Sequence, residues 1–190
     1  KDANMPKDNI KRAIKRGTGE LEGVDYSKEL LEAYGPSGSG FIIKTLTDNK
    51  NRTLSEIRSI LKDHGGSLAE KNAVSWKFDQ QGKLVVRESD NFSKEDLIEK
   101  TIEAGASDFN ELADGVIIYT DPKSLHQVKK SLEEEGIEIE EAAFSQEPKT
   151  LVEIKEEDKA RRLVKLSSKL EDHDDVEAVY SDFDIPEEIV

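Results

Sequence analysis

Val116-Ile117-Ile118-Tyr119-Thr120-Asp121-Pro122 is where the period of this sequence changes from two to 3.6. The apolar run predicts a strand over 116–120. Asp121 supplies a helix cap, Pro122 opens a helix over 122–135, and Gly136 stops it. A strand over 138–144 follows. Upstream, the pattern predicts a strand over 83–87, a helix over 93–104 stopped by Gly105, and a strand over 107–112. The order is β-α-β-β-α-β, the ferredoxin-like arrangement.

On either side the chain reads as two incomplete halves. Residues 29–34 and 41–47 predict strands around the turn Gly35-Pro36-Ser37-Gly38. Thr53-Leu54-Ser55-Glu56 has capping-box spacing and predicts a helix over 53–64, with Leu54, Ile57 and Leu61 inward and Gly65-Gly66 as its stop. Residues 74–79 predict a strand that holds the only tryptophan, Trp76. After Pro148 come a strand over 150–154, a helix over 156–171 with Leu163, Leu166 and Leu170 on one side, and a strand over 176–181. The economical assembly is an α+β protein with two ferredoxin-like domains. Residues 29–79 plus 149–190 form a discontinuous domain, and 80–148 is inserted in it. Strands 41–47, 74–79, 150–154 and 176–181 are expected in one sheet. Residues 18–28 read as a linker, and 4–17 as a helix with Pro6 in its first turn and Gly17 at its end.

The net charge of −14 is unevenly spread. Residues 1–16 carry six Lys/Arg against two acids, and 41–78 carry seven against four. Residues 79–190 carry 14 against 31. Such polarity suits a molecule that brings one basic edge to a polyanion while its body is repelled; the acidic helix faces of the C-terminal half read first as ordinary solvated surface. No run of 18 apolar residues is present, so no membrane partner is expected. Cysteine is absent, which removes disulfides, thiol nucleophiles and zinc–thiolate sites and fits a reducing compartment such as bacterial cytoplasm.

Catalytic patterns fail one by one. His64, His126 and His173 share no metal-ligand spacing, and His64 sits before a glycine stop, where it complements the helix dipole. Gly38 and Gly40 begin a G-x-G whose third glycine would be residue 43, which is Ile43; there is no G-K-[ST] either. Asp48, Lys50 and Arg52 would fill positions 1, 3 and 5 of a calcium loop, and two cations do not coordinate a third. No catalytic residue, metal or cofactor is expected, and the chain reads as a non-enzyme.

Two basic clusters remain. Lys7, Lys11, Arg12, Lys15 and Arg16 cover the first helix. Asn49, Lys50, Asn51 and Arg52 occupy the loop between a buried strand and a helix, whose exposed face adds Arg58 and Lys62 four residues apart. Arg and Lys suit phosphate contacts and Asn suits base edges. The same loop reads equally well as a network of turn and cap hydrogen bonds.

These residues also carry a resemblance. Ala3-Asn4-Met5-Pro6-Lys7-Asp8-Asn9-Ile10, Tyr34-Gly35-Pro36-Ser37-Gly38, Leu46-Thr47-Asp48-Asn49-Lys50-Asn51-Arg52-Thr53 and Val74-Ser75-Trp76-Lys77-Phe78 occur in the order seen in the YebC family. The resemblance implies a helical domain, represented here by its end at 1–17, followed by two α+β units. It also implies a role in gene expression, as DNA-binding transcriptional regulators or ribosome-associated translation factors in bacteria and translational activators in mitochondria. An acidic body with a local basic edge favours a ribosomal or transfer RNA partner over duplex DNA, with a protein-binding adaptor as the third reading. A cytoplasmic location is expected, or the mitochondrial matrix for a eukaryotic source. Nothing in the sequence sets the oligomeric state.

Overall fold

The protein is described by a computed structural model over residues 26–186. Alternation along β1 (Ser27–Tyr34) turns Leu31 and Ala33 to one side, and Phe41 and Ile43 of β2 (Gly40–Thr47) face the same way. The two strands pair antiparallel along their whole length, from Ser27 opposite Thr47 to Tyr34 opposite Gly40. Helix α1 (Lys50–Asp63) follows and lays Ile57 and Leu61 on that face. It ends in a Schellman motif: Gly66 donates its amide to the Leu61 carbonyl and Gly65 to that of Lys62. Gly65 has φ +80°, which a residue with a Cβ adopts only under strain. The short β3 (Ser67–Leu68) then pairs with the end of β1.

The second layer begins with β4 (Phe78–Arg87), followed by α2 (Lys94–Glu103), β5 (Asp108–Leu112), β6 (Gly115–Thr120), α3 (Leu125–Glu134) and β7 (Ile139–Pro148). The chain then makes β8 (Val152–Glu153), α4 (Glu157–Glu171), β9 (Val176–Ser181) and β10 (Phe183–Asp184). Two antiparallel four-stranded sheets result, in the orders β3-β1-β2-β9 and β5-β6-β4-β7. In each, the strand entering the first helix lies beside the strand leaving the second, which is the ferredoxin-like order. The first sheet reaches it by an altered route, because β1 precedes its neighbours in the chain instead of lying between the two helices.

Each sheet has its own core. Ala33, Phe41 and Ile43 meet Ile57 and Leu61 of α1 and Leu163, Leu166 and Leu170 of α4. Leu84, Val86, Val116 and Ile118 meet Leu97 of α2 and Val128 and Leu132 of α3. A small third cluster, Ile42, Val74 and Phe78 with Tyr180 against it, sits behind the first sheet where the chain crosses to the second.

Several expectations are corrected. Residues 74–79 and 83–87 are not two strands: β4 runs unbroken over Phe78–Arg87 and pairs with β7, Phe78 opposite Pro148. Gly82 lies inside it because a Cβ there would meet Thr120 Oγ1 at 2.3 Å and Leu125 Cβ at 2.8 Å; it marks close approach of α3 rather than a break. Residues 75–77 form a 3-10 turn, and Trp76 is 65% exposed. The cause is Glu32, buried on β1, whose carboxylate accepts the amides of Asn72, Val74 and Ser75 at 2.6–2.8 Å and takes them out of any ladder. Residues 150–154 also miss the main sheet. Val152 pairs in parallel with Phe183, making a separate two-stranded ribbon. Only 41–47 and 176–181 of the four expected partners share a sheet, as β2 and β9. Helix α1 starts at Lys50, earlier than Thr53, and α3 starts at Leu125 rather than at Pro122. The helix of 4–17 lies outside the described residues.

Candidate nucleic-acid interface

The loop from β2 to α1 is built around an acid from the far end of the chain. Asp175, just before β9, is buried, and its Oδ2 accepts from Arg52 at 2.6 Å, Thr53 Oγ1 at 2.7 Å and Thr47 Oγ1 at 3.1 Å. Asn49 is the N-cap of α1: its Oδ1 accepts the Arg52 amide at 3.1 Å, while its own amide donates to Thr47 Oγ1 at 2.9 Å. Thr53 is thus not a cap but a buried first-turn residue in the network. Burial alone would raise the Asp175 pKa; hydrogen bonds from Thr53, Arg52 and Thr47, with the Arg52 charge, outweigh it and hold the carboxyl below the usual range. The Asp175 hydrogen bond and charge, with Asp48 adding to them, hold Arg52 protonated beyond its ordinary value.

The predicted site residues therefore separate. Arg52 is shared among Asp175, Asp48 and Glu56, and Lys50 pairs with Glu29. Asn51 is exposed and makes no side-chain hydrogen bond among the described residues. Arg58 and Lys62 stand exposed on α1 with no acid within ion-pair distance among the described residues. Lys7, Lys11, Arg12, Lys15 and Arg16 lie outside the described residues.

Glu56, His173 and Asp175 are the one trio among the described residues whose donor atoms gather closely enough for a metal, within 4.8 Å. A cation already sits there. Arg52 binds Asp175 and reaches Glu56, and His173 Nε2 lies 3.0 Å from Glu56 with its Nδ1 accepting the Asp175 amide.

Beside α1 the structure opens a cleft of about 720 Å³ that sequence reasoning missed. It runs from Arg58 and Leu54 across Lys28, Leu30 and Glu32 of β1 to Lys44, Tyr180 and Phe144. β3 covers only Ala33 and Tyr34 of β1, so the first half of that strand is a free edge among the described residues. The one sequence signal was the alternation of β1, which sends Lys28 and Leu30 to the face opposite Leu31 and Ala33. The other residues come from distant segments that only folding brings together.

Two ferredoxin-like sheets covered by helices, with unpaired cations beside a cleft among the described residues, define a protein of α+β class. The family model of the TACO1/YebC second and third domain matches residues 26–183. Proteins called "probable transcriptional regulatory protein" in Halothermothrix orenii and Persephonella marina are each 48% identical, over 100% of this chain and 76% of their own length. A crystal structure of a conserved hypothetical protein from Aquifex aeolicus superposes with a TM-score of 0.86 at 43% identity, covering 99% of this chain and 77% of that one. The chain belongs to the TACO1/YebC family.

Proposed function

We propose that this protein is a non-enzymatic regulator of gene expression that acts in the cytoplasm by binding RNA, in association with the ribosome. One observation carries the reading. In a chain of net charge −14, Arg58 and Lys62 have no acidic partner among the described residues; they stand on adjacent turns of α1, within 41–78, where seven Lys/Arg outnumber four acids. Unpaired cations on an acidic protein are available for phosphate. The basic residues Lys7, Lys11, Arg12, Lys15 and Arg16 add to the same reading, with Asn51 as the one loop amide left uncommitted. A body this acidic disfavours coating of duplex DNA, which needs phosphate neutralisation over a broad surface. A pocket in folded RNA, read by shape, needs only a local basic edge.

The relatives are called probable transcriptional regulatory proteins, which favours transcription control as a second reading, through duplex DNA. Co-sedimentation with ribosomes and a DNA mobility-shift assay, run at matched salt with the full chain, separate the two. Ribosome association that weakens in Arg58→Ala/Lys62→Ala, with a salt slope smaller by roughly 0.7 per lost contact, is expected. Tight duplex-DNA binding without ribosome association would overturn it in favour of the second reading.

A further inference from the structure

The cleft beside β1 has a chemistry that the loop and α1 do not share. Its walls combine exposed apolar groups with cations. Leu30 is 59% and Phe144 48% exposed, and Tyr180 faces them with its hydroxyl donating to the Phe144 carbonyl at 3.2 Å. That bond ties the first sheet to the middle of β7. Lys28, Arg58 and Lys71 line the cleft, and none has an acid within ion-pair distance among the described residues. The two acids of the lining are already engaged: Glu29 pairs with Lys50, and Glu32 accepts three backbone amides. The surplus positive charge therefore faces the open space.

We propose that this cleft holds a single-stranded segment of RNA, with a base stacked on Phe144 and the backbone phosphates against Lys28, Arg58 and Lys71. The inference rests on the RNA-binding reading above and names where that RNA would lie. Open faces of four-stranded sheets in this strand order are physically suited to the task, since aromatic groups offer a stacking platform that cations frame. A duplex buries its bases and offers nothing to Phe144 or Leu30. The side-chain amides of Gln80 and Gln146, opposite each other on β4 and β7, make no hydrogen bond among the described residues and supply donors and acceptors for a ribose hydroxyl. The chain's own residues 1–16 are no candidate occupant, because their net charge is also positive.

The test is fluorescence anisotropy with the full chain and a labelled 12-nucleotide unstructured RNA, its DNA counterpart, its RNA duplex, and a polyglutamate peptide as competitor. The RNA strand is expected to bind roughly 10-fold or more tighter than the duplex or the DNA strand. Phe144→Ala should weaken it by about 10-fold with an unchanged salt slope, and Phe144→Trp should restore it. Lys28→Ala/Lys71→Ala should weaken it and lower the slope by about 1.4, at roughly 0.7 per single-strand phosphate contact. Thermal melting checks that each variant folds. RNA binding that survives both sets of variants unchanged would overturn the cleft while leaving the RNA-binding reading standing; no RNA binding at all would overturn both. Equal affinity for the DNA strand or the duplex, or displacement by polyglutamate as effective as by RNA, would also overturn the assignment.

Discussion

At the scale of the residue, two buried carboxylates hold distant segments together. Asp175 gathers Thr47, Arg52 and Thr53 on one oxygen, so Asp175→Ala removes the acceptor that two buried hydroxyls and a guanidinium share and should lower stability by about 2–3 kcal/mol in urea unfolding. Its pKa is depressed in the folded state, so its contribution is complete above the unfolded value near pH ~4 and is lost as pH falls through the folded pKa. Asp175→Asn should accordingly lose less of its remaining stability than the parent on acidification below about pH 4. A steeper acid transition in the variant would contradict the network. Glu32 plays the same part for the segment around Trp76. Glu32→Ala should cost about 2–4 kcal/mol, speed amide exchange at Asn72, Val74 and Ser75, and alter the emission of the single tryptophan.

At the scale of the element, the helix stops were legible and the starts of α1 and α3 were not. Gly65, Gly105 and Gly136 each follow a helix and donate to a carbonyl of its last turn, as the sequence predicted. The start of α1 was misjudged because Thr53 and Glu56 have capping-box spacing, whereas Asn49 has the extended backbone of a true cap. Asn49→Ala should therefore cost about 1 kcal/mol, and Asn49→Asp should not; equal losses would show that the side chain does something other than cap. Gly82 makes the sharper test. An ordinary glycine in a strand gains from alanine, but here the new Cβ collides with Thr120 and Leu125. Gly82→Ala should lose about 1–3 kcal/mol; a gain in melting temperature would show that β4 and α3 do not approach this closely.

At the scale of the molecule, charge and chemistry set the expectations. Among the described residues no helix is long and apolar enough to cross a membrane. The one metal-like trio is held around Arg52, so the purified protein should show no divalent-metal-dependent cleavage of RNA or DNA. Cleavage abolished by Glu56→Gln or His173→Ala would overturn the non-enzymatic reading. The loop 48–53 held two readings in the sequence, and folding commits Asn49, Arg52 and Thr53 to the turn-and-cap network. Arg58, Lys62 and Asn51 remain uncommitted, and the binding proposal therefore rests on the helix face more than on the loop.

The sequence by itself determined the α+β class, the helices and their glycine stops, and the family, because period, caps and short motifs are local and survive without knowledge of the fold. The identity of neighbours was decided only in three dimensions. Gln80-Gln81-Gly82 look too polar for a strand and separate the two predicted ones, yet pairing with β7 along the whole of β4 overrides that weak local preference. Residues 150–154 have strand propensity but join β10, since β2 already has β1 on one side and β9 on the other. Asp175 could not be linked to Arg52 from sequence, because 122 residues separate Thr53 from its partner and no local pattern spans such a gap. The cleft arose in the same way, from single residues on separate strands whose shared face exists only once the sheets have formed.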